Sequence, residues 1–195
     1  MSIRLGDIAP DFTADTTQGV LSFHDWKEGA WAVLFSHPAD FTPVSTPELG
    51  RTAAPSGAFA ARNAKAIAVS VDSVEDHLRW VPDIAEVAGV DVDFPIIADE
   101  DRSVSQAYDM IHPGEGDTST VRSVFLIDPS NTVRLTITYP KSVGRNFTEI
   151  LRALDALQAT DRSPISTPVS YTHLRAHETV LDIVCRLLLD KKTSM

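Results

Sequence analysis

Residues 31–50 combine three features that restrict the fold more than any other part of the chain. Residues 31–35 form an apolar run of the kind that makes a buried strand. Residues 47–49, Pro-Glu-Leu, are typical of the first turn of a helix, and Thr46 is a candidate N-cap. Ser45 therefore falls where a helix begins, and unpaired backbone N–H groups there favour an anion. A thiol at this position would ionise readily, whereas a serine hydroxyl needs a dedicated base.

The loop of this segment carries a motif that resembles a family signature. Pro38, Thr42 and Ser45 stand in the spacing Pro-x-x-x-Thr-x-x-Ser, which is similar to the Pro-x-x-x-Thr-x-x-Cys motif of peroxiredoxins. The longer run over residues 35–44, Phe-Ser-His-Pro-x-Asp-Phe-Thr-Pro-Val, resembles the 1-Cys branch in particular. The resemblance covers residues 3–168 and departs from the family at position 45, where serine stands in place of the peroxidatic cysteine.

The resemblance implies a thiol-dependent peroxidase that reduces hydrogen peroxide and organic hydroperoxides with an external thiol reductant. It implies neither a metal nor an organic cofactor, and it implies a homodimer or higher homo-oligomer. With Ser45 we expect the chain as written to be inactive, because serine lacks the acidity and soft nucleophilicity of a thiol. The alternative is a catalytically silent peroxiredoxin-like protein that acts by binding or assembly.

The resemblance also implies roles for two residues of the loop. The Thr42 hydroxyl is expected to donate to the reactive group and to hold the peroxide oxygen, and Pro38 to shield the site from water. Without the resemblance, Thr42 is a loop hydroxyl bonded to its own backbone and Pro38 is a strand terminator.

Two arginines and one glutamate complete the predicted site. Arg122 begins a predicted strand and is expected to hold the thiolate and polarise the peroxide, since arginine stays charged. The alternative for Arg122 is an ordinary surface position. Arg145 resembles a more remote arginine of the 1-Cys branch, and Glu48 is its expected partner.

His37 adjoins Pro38 and leaves two interpretations open. It is an acid–base group near the reactive residue, or a hydrogen-bonded packing residue at the end of a strand. Together with Asp40 and Ser45 it also suggests a serine hydrolase. The sequence disfavours that third alternative because it has no Gly-x-Ser-x-Gly elbow.

The periodicity of the whole chain predicts an α/β fold: a central mixed sheet with helices on both faces and an N-terminal β-hairpin. This order resembles the thioredoxin-like fold of peroxiredoxins. Ser73 is predicted to cap a helix that turns Val74, Leu78, Val81, Ile84, Ala85 and Ala88 towards the core. The expected extended segments are residues 9–13, 20–24, 31–36, 66–71, 93–98 (near an edge), 123–128 and 132–139, and the expected helices are residues 47–63, 74–88, 101–108 and one that follows Asn146.

Composition restricts the partners and the compartment. The net charge of -10 argues against nucleic acid, and no apolar stretch reaches the roughly 18 residues of a membrane span. Residues 1–7 lack the apolar region of a signal peptide, and Cys185 is the only cysteine, so we expect a cytoplasmic protein without an internal disulfide. Cys185 is not expected to act as a resolving cysteine, because position 45 holds no thiol.

The chain changes character after residue 168. Residues 1–168 are predicted to form the peroxiredoxin-like domain, whereas the 1-Cys branch continues into a longer C-terminal dimerisation domain. Residues 169–195 instead resemble a translated sequencing adapter. The alternatives are an amphipathic helix without a catalytic role and a partner-binding helix that displays Leu181, Val184, Leu187 and Leu188.

We expect truncation after Pro168 to leave the melting temperature of the remaining chain nearly unchanged, because the sequence before Pro168 shows no pattern suited to receive another helix. Thermal unfolding of the full chain and the truncated chain, followed by circular dichroism, measures this. A fall of several degrees would show that residues 169–195 are integral to the fold.

Overall fold

The computed structural model describes residues 3–54, 56–164 and 166–167. Two compact units divide after Phe147, so nearly all of the last helix belongs to the second unit. Residues 169–195, including Cys185, lie outside the described residues, and the predicted boundary at residue 168 stays a prediction. No helix in the described ranges is both long enough and apolar enough to cross a bilayer.

Seven strands of the first unit form one mixed sheet. Their bounds are Thr13–Thr16 (β1), Gly19–Ser22 (β2), Trp31–Ser36 (β3), Ala64–Ser70 (β4), Ile96–Ala98 (β5), Arg122–Ile127 (β6) and Val133–Tyr139 (β7). The order across the sheet is β2-β1-β5-β4-β3-β6-β7. The pairs β3–β4 and β4–β5 are parallel, and the other pairs are antiparallel. The predicted α/β class, mixed sheet and N-terminal hairpin are confirmed.

The helices of the described residues agree in part with the predicted pattern. Their bounds are Phe23–Lys27 (α1), Ser45–Ala53 (α2), Ser56–Ala60 (α3), Val74–Ala88 (α4), Ser103–Ala107 (α5) and Phe147–Arg162 (α6). The single helix predicted over residues 47–63 is wrong. The sequence has Pro55 between α2 and α3, and a proline inside a helix removes a backbone hydrogen bond.

The helix α1 occupies part of a segment that was predicted to be extended. The Phe23 ring stacks on Phe12 with 4.8 Å between ring centroids, and it is fully buried in the core. This tertiary packing overrides the local pattern, because five residues are too few for a helix to be stable by propensity alone.

The centre of the sheet explains why β3 and β4 are continuous apolar runs. Every residue of β3 is buried, as expected for a strand with a neighbour on each side and covered faces. Leu34 belongs to the main apolar cluster with Phe23 and Tyr108. Phe35, the next residue, points to the opposite face, where its ring contacts Phe94 edge-on at 5.7 Å between centroids.

β5 is shorter than predicted and is not at an edge of the sheet. It pairs with β4 on one side, and Thr16 of β1 faces Ile97 on the other. The N-terminal hairpin therefore pairs with the side of β5 that was predicted, from Pro95, to be an edge of the sheet. Pro95 itself precedes the strand, which leaves the ladder intact.

Helix α4 buries Ile84 of the predicted apolar face, but the prediction is wrong at Leu78. Leu78 is 52% exposed, whereas His77, Trp80 and Ile84 are fully buried. The buried residues follow the spacing i, i+3 and i+7 of one helix face, with the histidine one residue before the predicted leucine. The prediction considered apolar residues alone and so excluded His77, a polar side chain that has buried hydrogen-bond partners of its own.

The cap predicted for α4 is present. The Ser73 hydroxyl oxygen accepts a hydrogen bond from the backbone N–H of Asp76 at 3.1 Å, and the hydroxyl donates to the Asp76 carboxylate at 2.8 Å. Ser73 adopts the extended backbone of an N-cap, with φ of -77° and ψ of 160°.

We expect Ser73→Ala to lower the free energy of unfolding by about 1 kcal/mol, because an alanine N-cap leaves a helix N–H group without its acceptor. Urea unfolding curves of the two proteins measure the change. Ser130→Ala, at an exposed turn position, is the matched control and should stay within about 0.5 kcal/mol. Equal losses in the two variants would contradict the capping role.

Candidate active site

The N-terminus of α2 places Ser45 at the first position of a helix. Ser45 is fully buried, and its backbone N–H donates to the Thr42 hydroxyl oxygen at 3.0 Å. Val44 is the N-cap residue and makes no side-chain cap hydrogen bond, so the N-cap predicted at Thr46 is wrong, and Thr42 supplies the acceptor for the first helical N–H. The Thr46 hydroxyl instead donates to the Thr42 carbonyl and accepts a hydrogen bond from the Trp80 indole N–H at 3.0 Å.

The loop before Ser45 is held in a constrained conformation. Phe41 has φ of 55°, in the left-handed region that a bulky side chain rarely adopts, and its side chain is half exposed. A backbone of this kind costs on the order of 1–3 kcal/mol and persists only where surrounding contacts enforce it. Pro38 is buried at the start of the loop, and its predicted shielding role stays a prediction.

Arg122 reaches the reactive position from the neighbouring strand β6. Its Nη1 donates to the Ser45 hydroxyl at 3.3 Å and to Glu48 Oε2 at 2.8 Å, while Nε donates to the Lys141 carbonyl at 2.8 Å. The side chain is 2% exposed. Burial lowers the pKa of the Arg122 guanidinium, and Glu48 partly offsets this effect. The alternative of a surface arginine is therefore wrong.

Glu48 joins the two arginines of the site. Its carboxylate accepts three hydrogen bonds from Arg145, through the backbone N, Nε and Nη2, at 2.7, 2.8 and 2.7 Å. A fourth comes from Arg122. Burial alone would raise the pKa of the Glu48 carboxyl, but the hydrogen bonds and charge of Arg145, together with the charge of Arg122, lower it. The predicted contact between Arg145 and Glu48 is present.

Arg145 is fixed on every side. Its Nη1 donates to the Ser123 carbonyl at 2.8 Å, and its guanidinium lies 5.4 Å from the Phe35 ring centroid and 5.7 Å from that of Phe147. A guanidinium over aromatic faces is a favourable arrangement for a cation removed from water. Arg145 therefore positions Glu48, which in turn orients Arg122 towards Ser45.

His37 belongs to a buried chain of three side chains. His37 Nε2 lies 2.7 Å from Asp40 Oδ1, and His77 Nδ1 lies 2.6 Å from Asp40 Oδ2. The far nitrogen of His77 lies 3.1 Å from the Ile97 carbonyl oxygen. Within the described residues, His37 Nδ1 is a buried polar atom without a hydrogen-bond partner. Burial lowers the pKa of the His37 imidazole despite the neighbouring Asp40 carboxylate.

A serine hydrolase triad is not assembled here. One ring nitrogen of His37 contacts Asp40, and the other contacts no hydrogen-bonding group, so neither takes the proton of Ser45. The ligand atoms of His37, Asp40 and His77 lie within 4.8 Å of one another, a spacing that suits a metal ion. Short hydrogen bonds already join these atoms, and we assign the cluster to hydrogen bonding.

The structure brings together most of the predicted site. Ser45, Thr42 and Arg122 form one cluster, with Glu48 and Arg145 behind Arg122. His37 is fully buried with Nε2 directed at Asp40, and its acid–base role stays a prediction. The sequence analysis grouped Asp40 with His37 only in the serine-hydrolase alternative, and it missed His77. The only signal for His77 was its place on the same helix face as Trp80.

The sequence profile of the AhpC/TSA family matches residues 5–136. The chain belongs to this family. It is 48% identical over 169 residues to a 1-Cys peroxiredoxin from Dictyostelium discoideum, an alignment that covers 87% of this chain and 70% of that protein. The resemblance to 1-Cys peroxiredoxins that the motif around Pro38 indicated is confirmed.

Solved peroxiredoxin structures share the fold. A cysteine-to-serine mutant of peroxiredoxin 6 from Arenicola marina matches with a TM-score of 0.84 and 42% identity, over 94% of this chain and 89% of that chain. A yeast mitochondrial 1-Cys peroxiredoxin matches with a TM-score of 0.83 and 47% identity, over 87% of this chain and 83% of that chain. The predicted thioredoxin-like fold is therefore confirmed.

The peroxiredoxin site is built to stabilise negative charge at position 45. The N-terminal N–H groups of α2 and the Arg122 guanidinium both lie at this position, and each favours an anion there. In the Ser45→Cys form, these two groups are expected to lower the pKa of the introduced thiol from the usual value of about 8.5.

We expect Arg122→Gln, made together with Ser45→Cys, to raise the pKa of the introduced thiol by about 1 to 3 units, because an opposite charge at contact distance is removed. The rate of reaction with peroxide at pH 7 should fall as the thiolate fraction falls. A pH titration of thiolate absorbance measures the shift.

Arg79→Gln in the same background is the matched control, since the Arg79 side chain is 64% exposed and lies on α4. The pKa of the introduced thiol should not change in this control. If Arg122→Gln also left the pKa unchanged, a different cation would have to stabilise the thiolate.

Proposed function

We propose that this chain has the scaffold of a 1-Cys-type hydroperoxide reductase, in which the residue at position 45 decides whether the peroxidase chemistry runs. The observation that carries the proposal is the contact of Arg122 Nη1 with the Ser45 hydroxyl at 3.3 Å, at the N-terminus of α2. The homologues are peroxiredoxins, a class of thiol peroxidases.

With a thiol at position 45, the reaction follows from the geometry. The thiolate sulfur attacks one oxygen of the hydroperoxide, the O–O bond breaks, and the sulfur is oxidised to a sulfenic acid. The second oxygen leaves with a proton as water or an alcohol. Arg122 stabilises the thiolate and the developing charge, and the Thr42 hydroxyl lies within reach of the same position.

With serine at position 45, the same pocket lacks its nucleophile. The hydroxyl does not ionise near neutral pH, and His37, the nearest histidine along the chain, directs Nε2 at Asp40. Ser45 itself is the observation that favours the second candidate function, a catalytically silent peroxiredoxin-like protein that acts through binding or assembly.

The same proposal includes the partners and the compartment. We infer a hydroperoxide as substrate and an external thiol as reductant, in a homodimer or higher homo-oligomer that resides in the cytoplasm. A structure of the yeast mitochondrial relative concerns thiol resolution through glutathione and thioredoxin systems, which supports a thiol reductant of that class. The negative net charge argues against nucleic acid as a partner.

We expect the chain as written to consume hydrogen peroxide at the background rate and the Ser45→Cys form to consume it rapidly with a small dithiol as reductant. Ser45→Ala is the matched control, because it removes the hydroxyl and adds no thiol. A peroxide-consumption assay of the three proteins decides between the two candidate functions. Equal rates in the serine, alanine and cysteine forms would refute the assignment of position 45 as the reactive site.

A further inference from the structure

The buried chain His37–Asp40–His77 connects the loop of the site to helix α4. Its three side chains are at most 2% exposed. Asp40 lies between the two imidazoles, with one carboxylate oxygen facing each. The backbone N–H of Asp40 donates to Asp72 Oδ2 at 3.0 Å, so the aspartate also ties the loop to the end of β4.

The partners of His77 fix where its protons lie. Nε2 faces the Ile97 carbonyl oxygen at 3.1 Å, and a carbonyl oxygen can only accept, so Nε2 carries a proton. Nδ1 faces Asp40 Oδ2 at 2.6 Å, a distance that requires a proton between the two atoms. The pair therefore holds one proton more than a neutral imidazole beside a carboxylate.

That additional proton lies on the imidazole. Burial alone would raise the pKa of the Asp40 carboxyl, but hydrogen bonds from His37 and His77 and their charges lower it. Asp40 is thus a carboxylate that accepts from both rings. A cationic His77 beside an anionic Asp40 is a buried pair with no net charge, as the interior requires.

The protonation of His37 follows from the same carboxylate. Asp40 Oδ1 can only accept, so the His37 proton lies on Nε2. In the neutral ring, Nδ1 is then an unprotonated acceptor, and it is the buried nitrogen that lacks a partner. A buried polar group without a hydrogen bond costs about 1–3 kcal/mol of folding stability, so the unpaired Nδ1 of His37 needs an explanation.

We propose that Asp40 and His77 are positioning residues, which hold His37 as the neutral Nε2-protonated tautomer and keep its Nδ1 free to accept a hydrogen bond from the O–H of a hydroperoxide. This inference rests on the proposed function. His37 follows β3 directly, and β3 pairs with β6, the strand that begins with Arg122. The acceptor thus lies on the segment that leads into the loop of Thr42 and Ser45.

A metal ion at the cluster would require the opposite protonation. It would bind lone pairs of His37 Nε2 and His77 Nδ1, and both nitrogens would lose their protons. The proton positions therefore separate the two arrangements, and they can be measured without any peroxidase activity.

The first experiment is NMR of the chain as written, with 15N-labelled histidine, at neutral pH. We expect both ring nitrogens of His77 to be protonated, and His37 to carry a proton on Nε2 and none on Nδ1. His112→Gln, outside the cluster, should leave these signals unchanged, and Asp40→Asn should abolish the double protonation of His77. A neutral His77, a proton on His37 Nδ1, or a stoichiometric metal ion in the purified protein would overturn the proposal.

The second experiment adds His77→Gln or Asp40→Asn to the Ser45→Cys form. We expect the second-order rate with hydrogen peroxide to fall about 10- to 100-fold, because the acceptor on His37 is displaced or protonated. The pKa of the introduced thiol should stay unchanged, since Arg122 and α2 set it; a general loss of structure would change both. A rate within about twofold of the Ser45→Cys form in either variant would overturn the positioning role.

The two experiments separate this inference from the proposed function. If the Ser45→Cys form fails to consume peroxide, the proposed function fails, and the positioning role fails with it even when the histidine signals are as expected. If that form is active but His77 is neutral, only the inference about Asp40 and His77 fails.

Discussion

The ion-pair network around Glu48 is the interaction on which the site depends. Two guanidinium groups and one carboxylate are almost completely buried, and such charges are tolerated only when they are paired and fully hydrogen-bonded. Glu48 satisfies both arginines, and in doing so it joins α2 to β6 and to the segment before α6. The Arg122 guanidinium at the reactive position is therefore held in place, because moving any one of these side chains would leave a buried charge unpaired.

A second buried network fixes the loop on the other side of the reactive residue. Asp40 binds two histidines, one at the end of β3 and one on α4, and between Asp40 and Thr42 the chain adopts the left-handed backbone of Phe41. Anchors at both ends of a short segment are what allow a strained conformation to persist. The loop is thus held by hydrogen bonds on both sides of Phe41, and precise orientation of this kind favours catalysis.

Replacement of a peroxidatic cysteine by serine changes chemistry more than shape. Serine is the closest isostere of cysteine, but it has neither the acidity nor the nucleophilicity of the thiol. The solved cysteine-to-serine mutant from Arenicola marina matches this chain with a TM-score of 0.84, so that mutant and this chain share the fold. In this chain the groups that would stabilise a thiolate remain in place around Ser45.

The sequence by itself determined the features that depend on neighbours along the chain. The apolar run of β3, the helix start within two residues of Ser45, the cap at Ser73 and the motif from Pro38 to Ser45 are all short-range patterns, and each predicted its structure or its family. Only the tertiary structure decided the division of the helix after α2, the inner position of β5 and the burial of His77 in place of Leu78. These outcomes depend on partners far apart in sequence, such as Asp40 with His77 and Glu48 with Arg122, and local periodicity contains no information about which distant groups will meet.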